Sequence, residues 1–530
     1  MYRSFFLICA MLVITTSAFA QNNKDAIDTF YIEREGEPLW ISGYGLNRDG
    51  RKLLEFLQGS WANGLNPETY NISKISHLLE LDDDEHENRL SDIEVLLTDG
   101  YVGYVRDISG MRINAKANAL NPKHWKQRVS AEEALSLLPM HKDDIEDFLE
   151  TLEPQTNTYQ SLKKELVNLA ENTDFSRINS EKITLNGVLR PGFGNNSVTK
   201  LRQRFQIDPI DEDARYTYDP ALVQAIMHFQ DEHGLKPDGI IGKQTLRALN
   251  QSEQDKINQL IVNMERLRWV YDEKPERFIV VNIPSYTLWA VDHGKVAFEM
   301  PVVVGRKKRK TLSFITKVHG VRFNPTWTVP KTIKKEDILP KLQEDPMYLS
   351  DKGMELYDGY GRDSATLDPS VIDWSQVSIE DLAGFRMVQG TGATNPLGRF
   401  RVLMPNEHNI YLHDTNEKHY FARVDRAKSS GCIRMKDPEK IADFIMSYKS
   451  NWNEEKMSKI LESQKTTDVY TDEGMPVYIL YYTIWLGDKM QIVYGYDVYD
   501  DDKNILQDLQ KLDGIPKFDH TDENIISAVD

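Results

Sequence analysis

Two side chains of this sequence have the types and spacing for covalent chemistry. Cys432 is one of only two cysteines in 530 residues, and His413 lies nineteen positions before it. Both fall in the stretch Tyr411–Met435, YLHDTNEKHYFARVDRAKSSGCIRM. A thiol is a poor nucleophile until it loses its proton, and near neutrality only a few per cent of ordinary thiols have done so. An imidazole within hydrogen-bond reach can take that proton and later return it to a leaving amine. Gly431 permits a tight turn before the sulfur, which can aim the N–H groups of Gly431 and Cys432 at a developing oxyanion. The second nitrogen of His413 needs an orienting acceptor. Asp414 could supply its backbone carbonyl or its carboxylate, and the sequence leaves both open. His408 and His419 are the rival bases. His408 precedes the strand, and His419 sits in a polar NEKH segment.

These residues must be held by flanking elements. Tyr411 and His413 share one face of an alternating segment, because strand side chains repeat every two residues. After the cysteine, Asp437-Pro438 reads as a helix start, with Asp437 as N-cap and Pro438 at the first helical position. Ile441, Phe444, Ile445 and Tyr448 then form a stripe to be buried. Strands are expected over 278–283, 286–291, 296–304, 385–389, 399–404, 477–485 and 491–499, with Pro284-Ser285 and His293-Gly294 as turns. The basic run Arg306–Lys310 falls in a turn and reads as a solvated hairpin tip or an anion contact. Residues 331–383 break the strand rhythm. With a short helix over 334–341 and Met347, Tyr348, Leu349, Met354, Leu356 and Tyr357 to pack with, this insertion reads as a lid.

Upstream the period is helical. Leu53, Leu57 and Trp61 recur at four residues; Leu97, Tyr101, Tyr104, Val105 and Ile108 recur at three and four. Gly64-Leu65-Asn66-Pro67 breaks the first of these helices, and the acidic run Asp82–Glu87 reads as a solvated loop. Leu201, Phe205 and Ile207, then Leu222, Ile226 and Phe229, then a Gly-rich turn and Thr245–Leu249 describe a compact helical unit. Ile257, Leu260, Ile261, Met264 and Leu267 mark one more amphipathic helix.

Composition narrows the function. The net charge is −18, a poor match to nucleic acid. There is no Cys/His cluster for zinc and no GxxxxGK[ST] phosphate loop. Arg3, the apolar run Phe5–Ile14 and Ala18-Phe19-Ala20 read as a secretory signal over residues 1–20, which would also remove Cys9. An exported chain left with one thiol cannot make an internal disulfide, so Cys432 is either packed away or used.

The run FQDEHGL…DGIIG…TLRAL over 229–249 resembles a peptidoglycan-binding domain, a small three-helix module. NPLGRF, YLHDT and SSGCIRM, in that order, resemble an L,D-transpeptidase catalytic domain of the large Gram-negative subclass. The common family pattern has His before Gly-Cys; here Ser430 stands there, as in that subclass. The resemblance implies a multidomain α+β chain. It runs as a helical scaffold over 21–190, a three-helix peptidoglycan-binding module over 191–250, and a predominantly β catalytic domain over 251–500 with the lid inserted. An acidic tail closes it over 501–530. It implies Cys432 as nucleophile, His413 as general base and acid, and Gly431 with Cys432 as oxyanion hole. Tyr411 would line the pocket, Ser429 and Ser430 would hydrogen-bond the loop or substrate, and Arg434 would hold the loop or a substrate carboxylate. The implied reaction joins the third residues of two peptidoglycan stem peptides through a cysteine thioester, in the periplasm, with no cofactor or metal. Carbapenems would acylate the same thiol. The alternatives are an L,D-carboxypeptidase, a transferase attaching wall proteins, a Cys-His wall hydrolase, and a wall-binding protein with an inert thiol.

Overall fold

Local sequence signals decide most of the elements. The computed structural model describes residues 23–518 apart from 44, 82–85, 139–143, 174–181 and 272–274. The expected signal, most of the acidic loop and the end of the acidic tail lie outside them. Two compact units divide the chain at 274 and 481, with 482–530 joining the first unit. The division differs from the 251 and 500 expected from sequence.

The first unit is helical. Leu53, Leu57 and Trp61 are buried on Arg48–Gln58 and the turn after it, where Gly64 takes φ +66. Leu97, Tyr101, Tyr104, Val105 and Ile108 are buried along the helix His86–Ser109. Val198–Phe205, Pro220–Glu232 and Lys243–Leu249 are the three helices of the compact module. Their core joins Leu201, Leu222, Ile226 and Leu249 with Tyr218 and Ile241. The tail is partly wrong: Asp501–Lys511 is a helix that buries Ile505 and Leu509. Those two are one helical turn apart, enough to seat one face although acids surround them.

The second unit is built on a nine-stranded sheet. Its strand order is Ala427–Ser429, Lys295–Gly305, Ile433–Met435, Leu412–His413, Phe400–Leu403, Phe314–Phe323, Thr467–Leu480, Arg277–Asn282 and Thr287–Asp292. Thr287–Asp292 also pairs with Lys295–Gly305, so the sheet closes on itself and loses those edges. The run 477–485 is interrupted, since the long strand ends at Leu480 and a separate short strand begins at Ile484.

Pro438–Met446 covers one face of the sheet with Ile441, Phe444 and Ile445 buried. Two expectations about this helix fail. Asp437 makes no side-chain cap bond, and Tyr448 lies past the helix end, 65% exposed. Proline alone fixes the start, because its ring presets the helical φ and its missing N–H costs nothing there.

The insertion folds around a core of its own. Trp327–Thr328, Arg386–Gln389, Met354–Tyr357 and Thr366–Leu367 form a four-stranded antiparallel sheet. Leu342, Leu349, Leu356, Trp374, Leu382 and Met387 are buried against it. Of the residues expected to pack, Met347 stays 47% exposed. The helical stretch Lys331–Glu344 is wider than expected and opens into a π-turn at Lys334–Ile338.

Candidate active site

Register brings the candidate residues together. Leu412–His413 pairs in parallel with Ile433–Met435, setting Leu412 opposite Ile433 and His413 opposite Arg434. Ile433 N donates to Tyr411 O at 2.9 Å, which carries the pairing back to Cys432. With side chains alternating, Tyr411, His413, Cys432 and Arg434 share the face opposite Leu412 and Ile433, which are fully buried. The same row continues. His413 faces Arg401, Arg401 faces Arg322, and Arg322 faces Asp468.

His413 is buried, and its Nδ1 lies 2.5 Å from the backbone O of Asp414. A carbonyl only accepts, so Nδ1 carries the proton and Nε2 is left as the basic nitrogen. The Asp414 carboxylate is engaged elsewhere. Oδ1 accepts from Thr415 N at 2.7 Å and Lys418 Nζ at 2.5 Å, and Oδ2 accepts from Arg399 N at 2.8 Å. Gly398, at φ +56, lies against that carboxylate; a Cβ there would be 2.2 Å from Oδ2. The NPLG turn therefore needs glycine to seat the residue that orients the imidazole. Burial first, then the Arg434 charge and, more weakly, Arg401, depress the His413 pKa to about 3 against the Asp414 hydrogen bond. The imidazole is neutral at ordinary pH.

Cys432 is half-buried, and its Sγ contacts Asn409 O at 3.7 Å. Burial raises the thiol pKa, against the Tyr411 N–H and the charges of Arg401 and Arg434. With a neutral base and a neutral thiol, the resting site is not an ion pair.

The loop before the sulfur is cross-tied. Ser429 Oγ donates to Cys432 O at 2.5 Å and accepts from Gly431 N at 3.1 Å. Thr311 Oγ1 donates to Gly431 O at 2.7 Å, and Gly431 takes φ +118. The reading of Gly431 N–H as an oxyanion donor is corrected by this geometry, since that N–H is spent on Ser429. Ser429 likewise serves the loop. Ser430 Oγ accepts from Arg309 Nη1 at 3.0 Å. Arg434 Nη1 donates to Glu417 Oε2 at 2.6 Å, an ion pair within the site loop. His408 packs on the Phe314 ring and His419 on Tyr420, outside the strand row.

Two residues escaped the sequence reading. Arg309, from the basic run, is neither solvated tip nor free anion contact. Its side chain, 8% exposed, pairs with Glu336 at 2.6 Å and Asp337 at 2.5 Å on the π-turn of the insertion while it holds Ser430. Arg401 stacks on the Tyr411 ring at 3.8 Å. The outward alternation of Phe400-Arg401-Val402 was the available signal for it.

Three stretches of the chain match models of known protein families. Residues 276–492 match the model of the L,D-transpeptidase catalytic domain. The chain carries an L,D-transpeptidase catalytic domain. Residues 25–166 match a scaffold domain, and 197–249 match a "Putative peptidoglycan binding domain". A Haemophilus influenzae protein described as "Putative L,D-transpeptidase" is 34% identical over 264 residues, 48% of this chain and 52% of that protein. The chain thus spans about half the length of this curated relative. Among solved structures, an L,D-transpeptidase from Xylanimonas cellulosilytica is 14% identical over 56% of this chain and 99% of its own, with TM-score 0.15. One from Stackebrandtia nassauensis is 13% identical over 57% and 97%, with TM-score 0.19. In the L,D-transpeptidase domain, both Cys432 and His413 lie within the matched residues.

Proposed function

We propose that this chain is a cell-wall acyltransferase that links peptidoglycan stem peptides through a thioester on Cys432, outside the cytoplasm. The observation that carries the reading is the shared sheet face of Cys432 and a buried, neutral His413 whose Nε2 is free to accept a proton. Among the described residues no helix is long and apolar enough to cross a membrane.

The Cys432 thiol gives its proton to His413 Nε2 as Sγ attacks the carbonyl of the third stem residue. The Cys432 N–H is the remaining donor of the loop for the oxyanion. On collapse the bond to the terminal D-alanine nitrogen breaks, and the imidazolium returns the proton to that amine. A side-chain amine of a second stem peptide then attacks the thioester, His413 takes its excess proton, and the thiol is regenerated. The product is a cross-link between two third-position residues. Ser429, Thr311 and Arg309 position the loop, and Asp414 holds the imidazole tautomer.

The test is turnover of a disaccharide-tetrapeptide by the full chain. The expected product is a dimer with one terminal alanine lost per link formed. Tripeptide alone would make the chain a carboxypeptidase, cleavage elsewhere would make it a hydrolase, and transfer only to a protein amine would make it an attachment transferase. No consumption would overturn the enzymatic reading.

A further inference from the structure

The row beside the thiol holds three arginines, and their partners differ. Arg434 is paired with Glu417. Arg322 meets Asp468 fork to fork, at 2.6 and 2.7 Å. Arg401 lies between them on the Phe400–Leu403 strand. Among the described residues no carboxylate is within ion-pair distance of it, and its Nε is buried with no hydrogen-bond partner. One face of its guanidinium lies on Tyr411, which orients the planar fork and leaves its edge to donate. Its charge reaches Asp468 beyond ion-pair distance, so the fork itself is left without a direct carboxylate partner.

Position gives the fork a task. Across the sheet Arg401 stands directly opposite His413 on the neighbouring strand, and on the other side of His413 the thiol of Cys432 just precedes the next strand, two residues before the Arg434 that faces His413, with about 4.8 Å between strands. The donor peptide of the proposed reaction presents its groups in the same order. The carbonyl carbon meets sulfur, the leaving nitrogen takes a proton from His413, and a free carboxylate stands one carbon beyond that nitrogen. A guanidinium binds a carboxylate through two parallel N–H bonds. We infer that Arg401 receives the terminal carboxylate of the leaving residue, and so selects donors that end one residue after the scissile bond. This rests on the functional reading above and extends it to a substrate-binding residue. A donor one residue longer would place an amide where the fork expects an anion. The site would then favour removal of a single terminal residue over internal cleavage.

The test pairs a change in the protein with a change in the donor. Two disaccharide-tetrapeptides are compared, one with a free terminal carboxylate and one with a terminal amide. The parent should use the acid with kcat/KM about 10–100-fold above the amide, the range of a hydrogen bond to a charged group. Arg401→Gln should lose that factor on the acid and use the two donors within about threefold of each other. Arg401→Lys, which keeps the charge but not the fork, should retain part of the ratio, and it serves if the glutamine variant does not fold. Thermal melting and carbapenem adduct formation on each variant report fold and thiol separately from donor choice. Variants that keep the full acid-to-amide ratio would overturn the assignment and leave the functional reading standing. A parent that consumes neither donor would overturn both.

Discussion

Two groups of arginines differ in their surroundings: one is buried around a carboxylate in the helical unit, and the other lies half-buried beside the thiol. In the helical unit Glu265 is fully buried. Its carboxylate accepts from Arg112 N and Nε, Arg268 Nη1 and Trp269 Nε1, at 2.7 to 3.1 Å. Burial alone would raise its pKa, yet Arg112 and Arg268 reverse the sign and hold it below the usual carboxylate range. In the β unit the row Arg434, His413, Arg401, Arg322 has two carboxylates, Glu417 and Asp468, for three guanidiniums, and the imidazole among them is kept neutral. Removing one partner of a buried ion pair strands the other charge. A row left open has charge to offer a substrate and a base that is ready to accept. The difference separates the structural use of buried ionic groups from the chemical one.

Breaking each set should therefore give opposite readouts. The largest effect is expected at His413. His413→Ala should slow carbapenem acylation of the thiol by about 10²–10⁴-fold, measured by intact mass against time; a rate equal to the parent would remove His413 as base. Glu265→Ala should instead cost about 3–5 kcal/mol in denaturant unfolding of the helical unit, with acylation of the folded fraction unchanged. If it is as stable as the parent, the Glu265 cluster is not structural.

The pH dependence of stability sharpens the contrast further. Unfolded, the imidazole binds a proton below about pH 6.5; folded, His413 does so only near 3. Its contribution is present above pH 6.5 and is lost as pH falls toward 3, at up to about 1.4 kcal/mol per unit. His413→Gln should remove that part of the acid sensitivity, and parallel stability curves for the two proteins would contradict the depressed pKa. The smallest effect is expected at the turn behind the imidazole. Gly398→Ala would force a Cβ at positive φ onto the Asp414 carboxylate, costing about 1–3 kcal/mol and slowing acylation through the displaced Asp414 carbonyl.

Much of this was legible in the chain because period two is a strong signal. Tyr411 and His413 had to share a face, and the glycine before Cys432 had to sit in a turn. The choice between the Asp414 carbonyl and its carboxylate was not legible, because it depends on Arg399 N and Lys418 arriving at the carboxylate from other segments. Arg401 was hidden for a similar reason. Its register against His413 is set by the fold of the intervening 404–411 loop, which no local pattern fixes. Arg309 looked like a solvated turn residue because its partners, Glu336 and Asp337, come from a π-turn in the insertion. The helix Asp501–Lys511 was masked by its acids, although Ile505 and Leu509 have helical spacing. Long-range pairing of charges, more than secondary structure, is what the one-dimensional reading lacked.

The central claim, that Cys432 carries the acyl group, is tested most directly by intact mass after carbapenem treatment. The parent should gain one adduct mass, on the peptide that contains Cys432, and Cys432→Ser should gain none while melting like the parent. An adduct on Cys432→Ser, or a parent that turns over stem peptides without ever being acylated, would contradict the account.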